Sequence, residues 1–516
     1  MQEERKTKKI ATNTLILFIR MMAIMVINLY AVRVVLNGLG QEDYGIFNAI
    51  AGVVLTSTFI TSSLAIAIQR FYSFALGRHQ ADRLQSIFSA SINIVVVLAL
   101  IIIVIFETAG IWFIDHKMII PLYRMDAAHW ILQMALFTFT LSFLQIPFTA
   151  SIFANEDMGY YAGISFLECI GRLLVALLIA SAPVDKLMFY SSGLLLVALL
   201  IFSSYGALAI HKYGYCRYKK IKDKGIYKQL LSFSGWTIYG TFTGVGLIQG
   251  HAILLNMFFG PLVNAAFSIA NQVYNALNTL SNSIVLSFRP AMIKAYSGKD
   301  NRYLDTLFQI SNKFILYLLI AVTIPFICET HEILYLWLGK HNTTELTVLM
   351  TRLFAVYCVC QTIHNPITII IQATGKIKYY FSIVESVTVL AIPVSWLLFR
   401  LRFPVFFGFV CIIAFCIFAH GLRLAFLKHY YPAFNLHHYI VHFLLPATLI
   451  AAAVLFITQY AKGFVNAETT GYLLHILLVF ALSVPSTLFL TFLLGLTHTE
   501  KRELRNYAKG ISRKAL

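Results

Sequence analysis

Fourteen stretches of about 20 mostly apolar residues run through the chain with only short polar spacers between them, and each is long enough to cross about 30 Å of hydrocarbon as a helix. They lie near 12 to 36, 43 to 67, 86 to 109, 127 to 149, 160 to 181, 187 to 211, 230 to 259, 262 to 287, 306 to 329, 345 to 371, 379 to 399, 405 to 427, 441 to 460 and 472 to 497. The fold class is therefore an all-α membrane protein of about 14 transmembrane helices. With 59% hydrophobic and 12% charged residues, a water-soluble core could not hide the apolar surface. The run that follows the basic N-terminus is too long for a signal-peptide core and should remain as the first span.

The formal charge of +18 does not point to nucleic acid, because the basic residues occupy spacers between spans instead of one folded face. With the N-terminus in the cytoplasm, loops on its side hold about 27 Lys and Arg, including Lys219, Lys220, Lys222, Lys224 and the tail from Lys501 to Lys514; the opposite loops hold about 7. Both termini are expected inside, and the even span count agrees. The seven cysteines show no CxxC or Cys/His spacing, so neither a disulfide nor a metal site is expected.

Residues of uncommon type recur at one ungapped offset of 219: Asn37 with Asn256, Arg70 with Arg289, Arg83 with Arg302, Pro147 with Pro366, and Tyr160-Tyr161 with Tyr379-Tyr380. Each pair falls at the same place in its span, so the repeat unit is six helices. An even number per unit gives both copies one orientation and implies two lobes related by an axis along the membrane normal, as in alternating-access carriers. The boundaries expected are 1–215 and 216–435 for the lobes, with 436–516 as two added helices and a basic tail.

Span 8 carries Asn264, Asn271, Asn275, Asn278 and Asn282 on one helical face, which reads as the wall of a water-filled cavity or as interhelical hydrogen bonding. Gly240, Gly244 and Gly246 in span 7 permit close packing or a hinge. Arg20, Arg33, Glu168, Arg172, Lys313, Arg352 and Glu385 are ionisable groups inside spans and so need partners, water or a role. Glu168 and Arg172 stand four apart and can meet on one face, as a structural pair or a gate. Glu385 has no base within helical reach and is either paired tertiarily or a protonated coupling group. No P-loop, HExxH, GxSxG or DxD-like pair occurs, and no outside loop exceeds about 20 residues, so no enzyme is expected.

The stretch from Leu36 to Ile46, Gln69-Arg70, the segment from Pro147 to Tyr161 and the six-plus-six-plus-two plan resemble the multidrug, oligosaccharidyl-lipid and polysaccharide exporter (MOP) superfamily, and within it the flippases of O-antigen or capsular repeat units. The resemblance implies two lobes around a central cavity and an undecaprenyl-pyrophosphate-linked oligosaccharide as cargo, carried between leaflets of the bacterial inner membrane. It also implies cavity cations that hold the pyrophosphate, a role carried to Arg20 first, then to Arg33, Arg70 and Arg289, with Asn271, Asn275, Asn278 and Asn282 for sugar. Glu168, Arg172 and Glu385 are the coupling or gating candidates. No cofactor is expected beyond proton or sodium coupling; the partners expected are membrane lipids, a polysaccharide polymerase and glycosyltransferases, with a monomeric carrier and no nucleic acid. A peptidoglycan-precursor flippase and a multidrug or cation antiporter of the same superfamily remain as alternatives, as does a membrane glycosyltransferase or polymerase.

Overall fold

A computed structural model describes residues 2–55, 58–118, 120–221, 223–339, 343–463, 471–497 and 500–501. Lys222 and most of the basic tail lie outside the described residues, as does the side chain of Asn264.

Among the described residues the chain is helical and has no strand. We number the long helices α1 (Gln2–Leu39), α2 (Gln41–Leu55 and Thr58–Gly77), α3 (Ala81–Ile105 to Ile111–Lys117), α4 (Met125–Leu144 and Ile146–Ala154), α5 (Met158–Leu178), α6 (Lys186–Lys212) and α7 (Lys224–Phe259). The rest are α8 (Pro261–Ser297), α9 (Asn301–Cys328 and Thr330–Leu338), α10 (Glu345–Thr362 and Asn365–Thr374), α11 (Lys378–Tyr380 to Ala391–Arg400), α12 (Phe407–Tyr430), α13 (Leu436–Tyr439 to Leu445–Lys462) and α14 (Tyr472–Leu490).

Among the described residues thirteen of them are long and apolar enough to span a membrane, and α8 is the remaining one. It falls short because it carries the asparagines, and its length of 37 residues is ample. The fourteen helices coincide with the fourteen runs read from the sequence. On α3, Val97, Leu100, Ile101, Val104 and Ile105 are exposed together, which is stable only against hydrocarbon.

The helices form two compact units, Met1–Phe242 with Leu286–Asp300, and Thr243–Val285 with Asn301–Leu516. The added pair α13 and α14 counts with the second unit, and residues 216–242 with the first. The partition cuts α7 between Phe242 and Thr243, within the Gly240 to Gly246 stretch, and cuts α8 between Val285 and Leu286. A Cβ at Gly244 or Gly246 would meet nothing within 4 Å, whereas at Gly250 it would come 2.7 Å from Ile392. Of these three glycines, Gly250 is the closely packed one.

The core of the second unit is an aromatic cluster in which Phe354 lies 5.1 Å from Phe267 and 5.0 Å from Phe409. Phe267, Ala270, Tyr274 and Leu277 form the buried stripe of α8 that meets this core, and Ser281 and Ile284 continue the stripe at the three-and-four spacing of a helix face.

Candidate polar sites of the two units

In the first unit α1 and α5 run alongside each other, and Arg20 reaches from α1 onto the ring of Tyr161. Its guanidinium carbon stands 4.4 Å from the ring centroid, and Nη2 donates to the tyrosine hydroxyl at 3.2 Å. Tyr161 is itself braced edge-on by Phe153 at 4.6 Å and stacked with Tyr205 at 6.4 Å. Such a cation over an aromatic face is worth about 0.5–2 kcal/mol, more as water is excluded. Arg20 Nε is buried and has no hydrogen-bond partner among the described residues, which leaves donor capacity for an anion.

Tyr161, Ser165, Glu168 and Arg172 follow one another by four, three and four residues along one face of α5. The Arg172 guanidinium donates to Glu168 at 2.6 Å, as the spacing predicts, and the pair is half-exposed. Arg20, Glu168 and Arg172 all lie near the Cys169 thiol. Two guanidiniums and one carboxylate leave the cluster with one net positive charge.

The other arginines differ. Arg33 is exposed near the far end of α1. Arg70 is buried, with its guanidinium 4.8 Å from the Phe71 ring, 4.9 Å from Phe74 and 5.2 Å from Phe233, so aromatic rings enclose it. Arg289 is half-buried at the end of α8, its Nε without a partner among the described residues.

In the second unit Glu385 sits on a π-helical turn, Phe381–Glu385, a local widening of the helix that frequently marks functional positions. The carboxylate is paired with buried Arg423 of α12 at 3.1 Å. Arg423 Nε also donates to the hydroxyl of Tyr380 at 3.2 Å, and Tyr380 shares a hydrogen bond with Thr368 at 2.9 Å. Of the two readings of Glu385, the geometry shows the tertiary pair. In sequence Arg423 does not stand out, because a single arginine four residues from the end of an apolar run looks like an interfacial anchor. Nearby, His364 Nδ1, both ring nitrogens of His420 and Arg423 Nη1 are buried without partners among the described residues, as expected where water or an ion completes a polar pocket.

The repeat links the two sites. Tyr161 and Tyr380 are equivalents at the 219 offset, and each accepts a hydrogen bond from an arginine, supplied by α1 in one unit and by α12 in the other. On α8, next to the buried stripe, Asn271 and Asn278 are half-buried while Asn275 and Asn282 are exposed beside Gln272 and Thr279. An exposed face this polar, at membrane depth, is stable against water and not against lipid tails.

A curated relative, the uncharacterized membrane protein EpsK of Bacillus subtilis, is 21% identical over 349 residues, which is 67% of this chain and 68% of that protein. Solved structures share the fold. A MATE protein in the straight conformation superposes with a TM-score of 0.71 at 12% identity, covering 82% of this chain and 96% of its own. The MATE transporter VcmN of Vibrio cholerae gives 0.67 at 15% identity over 84% and 98%. A MOP superfamily transporter from Pyrococcus furiosus gives 0.69 at 11% identity over 81% and 95%. The family model described as polysaccharide biosynthesis protein matches residues 7–296, more than half of the chain. The chain therefore belongs to the polysaccharide biosynthesis protein family, and its helical fold is the one these MATE and MOP superfamily structures share.

Proposed function

We propose that this carrier flips an undecaprenyl-pyrophosphate-linked oligosaccharide, an O-antigen or capsule repeat unit, from the cytoplasmic to the periplasmic leaflet by alternating access. The observation that carries the reading is Arg20, a cation on an aromatic platform at membrane depth with one nitrogen unpartnered among the described residues. A pyrophosphate needs fixed positive charge and donors, and the exposed amides of α8 suit a sugar. A cation antiporter would need an available carboxylate, whereas Glu168 and Glu385 are each engaged by an arginine. The inner membrane, with both termini in the cytoplasm, is the location this reading requires, and the chain acts as a carrier and not an enzyme.

Coupling belongs, in this reading, to the Glu385–Arg423 pair, because a proton or sodium ion reaching Glu385 must compete with the guanidinium. The hinge belongs to Gly240, Gly244 and Gly246, where the partition crosses α7.

Arg20→Ala, made at wild-type membrane levels, is expected to abolish surface-polysaccharide display while Arg20→Lys retains part of it. Normal display from Arg20→Ala would overturn the assignment. Loss of viability on depletion, with display intact until lysis, would instead indicate a peptidoglycan precursor as cargo.

A further inference from the structure

At the end of the second unit where α9 begins, α12 ends and α14 ends, a cavity of about 90 Å³ lies among α9, the α12–α13 connection and the start of α13. Its walls hold two polar groups more than nine-tenths buried whose hydrogen-bonding capacity is unused among the described residues, Asn312 Oδ1 and the Tyr439 hydroxyl. Buried groups of this kind cost about 1–3 kcal/mol each unless something binds them. Lys313 and the imidazoles of His438 and His442 also line the cavity, the two rings stacked 4.3 Å apart. Asp305 lines it too, its Oδ1 accepting from the Tyr431 hydroxyl at 3.0 Å. Phe434 and Phe443 supply apolar wall.

Lys313 already holds an anion. The Glu500 carboxylate lies 2.7 and 3.0 Å from its ammonium and also takes the backbone N–H of Thr497 at 2.6 Å, so the segment after α14 delivers a carboxylate to a lysine that lies inside a span. An ammonium, a phenol and two imidazoles around one cavity form a donor set for phosphate oxygens, with Asn312 Oδ1 left to accept from a hydroxyl. Aromatic wall beside such a set suits a molecule that is part headgroup and part chain, and basic pockets between transmembrane helices are known lipid sites.

We propose that this cavity binds the phosphodiester headgroup of an anionic, hydroxyl-bearing membrane phospholipid, with the phosphate replacing Glu500 on Lys313. The site is separate from Arg20 and from the Glu385–Arg423 pair, and it rests on the orientation proposed above only in lying at the inner leaflet.

Native mass spectrometry of the full-length protein in detergent tests it by titration with phosphatidylglycerol, phosphatidylcholine and inorganic phosphate. Saturable binding of phosphatidylglycerol is expected, at least 5-fold tighter than phosphatidylcholine. The partly exposed pair is the variant to use: His438→Gln with His442→Gln is expected to weaken that binding 5-fold or more, and Glu500→Gln to tighten it. Equal binding of the two lipids, an unaltered titration in the double-histidine or the Glu500→Gln protein, or inorganic phosphate displacing the lipid at equal concentration would each overturn the proposal.

Discussion

Arg78 Nε donates to the carbonyl of Ser297 at 3.4 Å, and the two residues stand 219 positions apart, the offset at which the sequence repeats itself. The ends of α2 and α8, equivalent in the repeat, therefore meet within the first unit. Gly77 makes the approach possible: a Cβ there would come 2.6 Å from the Lys294 carbonyl oxygen and 2.9 Å from its Cα, both backbone atoms. Gly77→Ala is expected to cost about 1–3 kcal/mol through overpacking. Gly235→Ala, where a Cβ meets nothing within 4 Å, should be neutral or slightly stabilising. Thermal unfolding of the two variants in detergent compares them directly, and equal midpoints would contradict the close crossing.

Tyr161→Phe keeps the ring under Arg20 and removes the hydroxyl that accepts from it. Hydrogen bonds to charged groups are worth about 1.5–3 kcal/mol, so a several-fold fall in surface polysaccharide is expected, less than for Arg20→Ala. Tyr161→Leu, which removes the ring as well, should fall further. Quantitative immunoblotting of cell-surface polysaccharide, normalised to membrane protein level, ranks the three; a Tyr161→Leu strain equal to wild type would remove the platform from the site.

Glu385→Gln leaves the Arg423 guanidinium buried without its counter-charge. Breaking a buried pair from one side costs about 3–5 kcal/mol, while replacing both partners by apolar groups is often neutral. The Glu385→Gln protein should unfold at markedly lower temperature, and the double variant Glu385→Leu with Arg423→Met should recover most of the loss. Transport by the double variant under an imposed proton gradient then reports on coupling apart from stability: gradient dependence that survives would exclude the pair as the coupling site.

Asp185, between α5 and α6, gives a pH dependence. Burial raises its carboxyl, but the N–H groups of Met188 and Leu187 and the guanidinium of Arg124 outweigh burial and hold it below the usual carboxylate range. Arg124 also grips Asp43 at 2.7 Å, so three helix ends share one cation. A carboxylate depressed in the folded state contributes stability that is complete above the unfolded value near pH 4 and is lost as pH falls through the folded one. Unfolding midpoints measured from about pH 6 to pH 3 should fall more steeply for the wild type than for Asp185→Asn. Parallel curves would show that Asp185 does not carry the effect.

The fourteen helices, the recurrence of six residues at one offset and the polar face of α8 were legible in the chain because length, hydropathy and helical periodicity act locally. The Glu168–Arg172 pair was legible for the same reason: a separation of four fixes the neighbours before any tertiary contact forms. Partner choice across helices was not. Arg20 finds Tyr161 across 141 residues, Lys313 finds Glu500 across 187, and Glu385 finds Arg423 across 38. Each depends on how two helices are rotated and shifted against each other, which side-chain packing decides and spacing does not encode. The same packing separated the arginines, enclosing Arg70 in phenylalanine rings while leaving Arg20 with a nitrogen unclaimed among the described residues. The sequence alone determined where the long apolar helices lie, because length and hydropathy are local; only the tertiary structure decided which of their charges are neutralised and which keep donor capacity for a ligand.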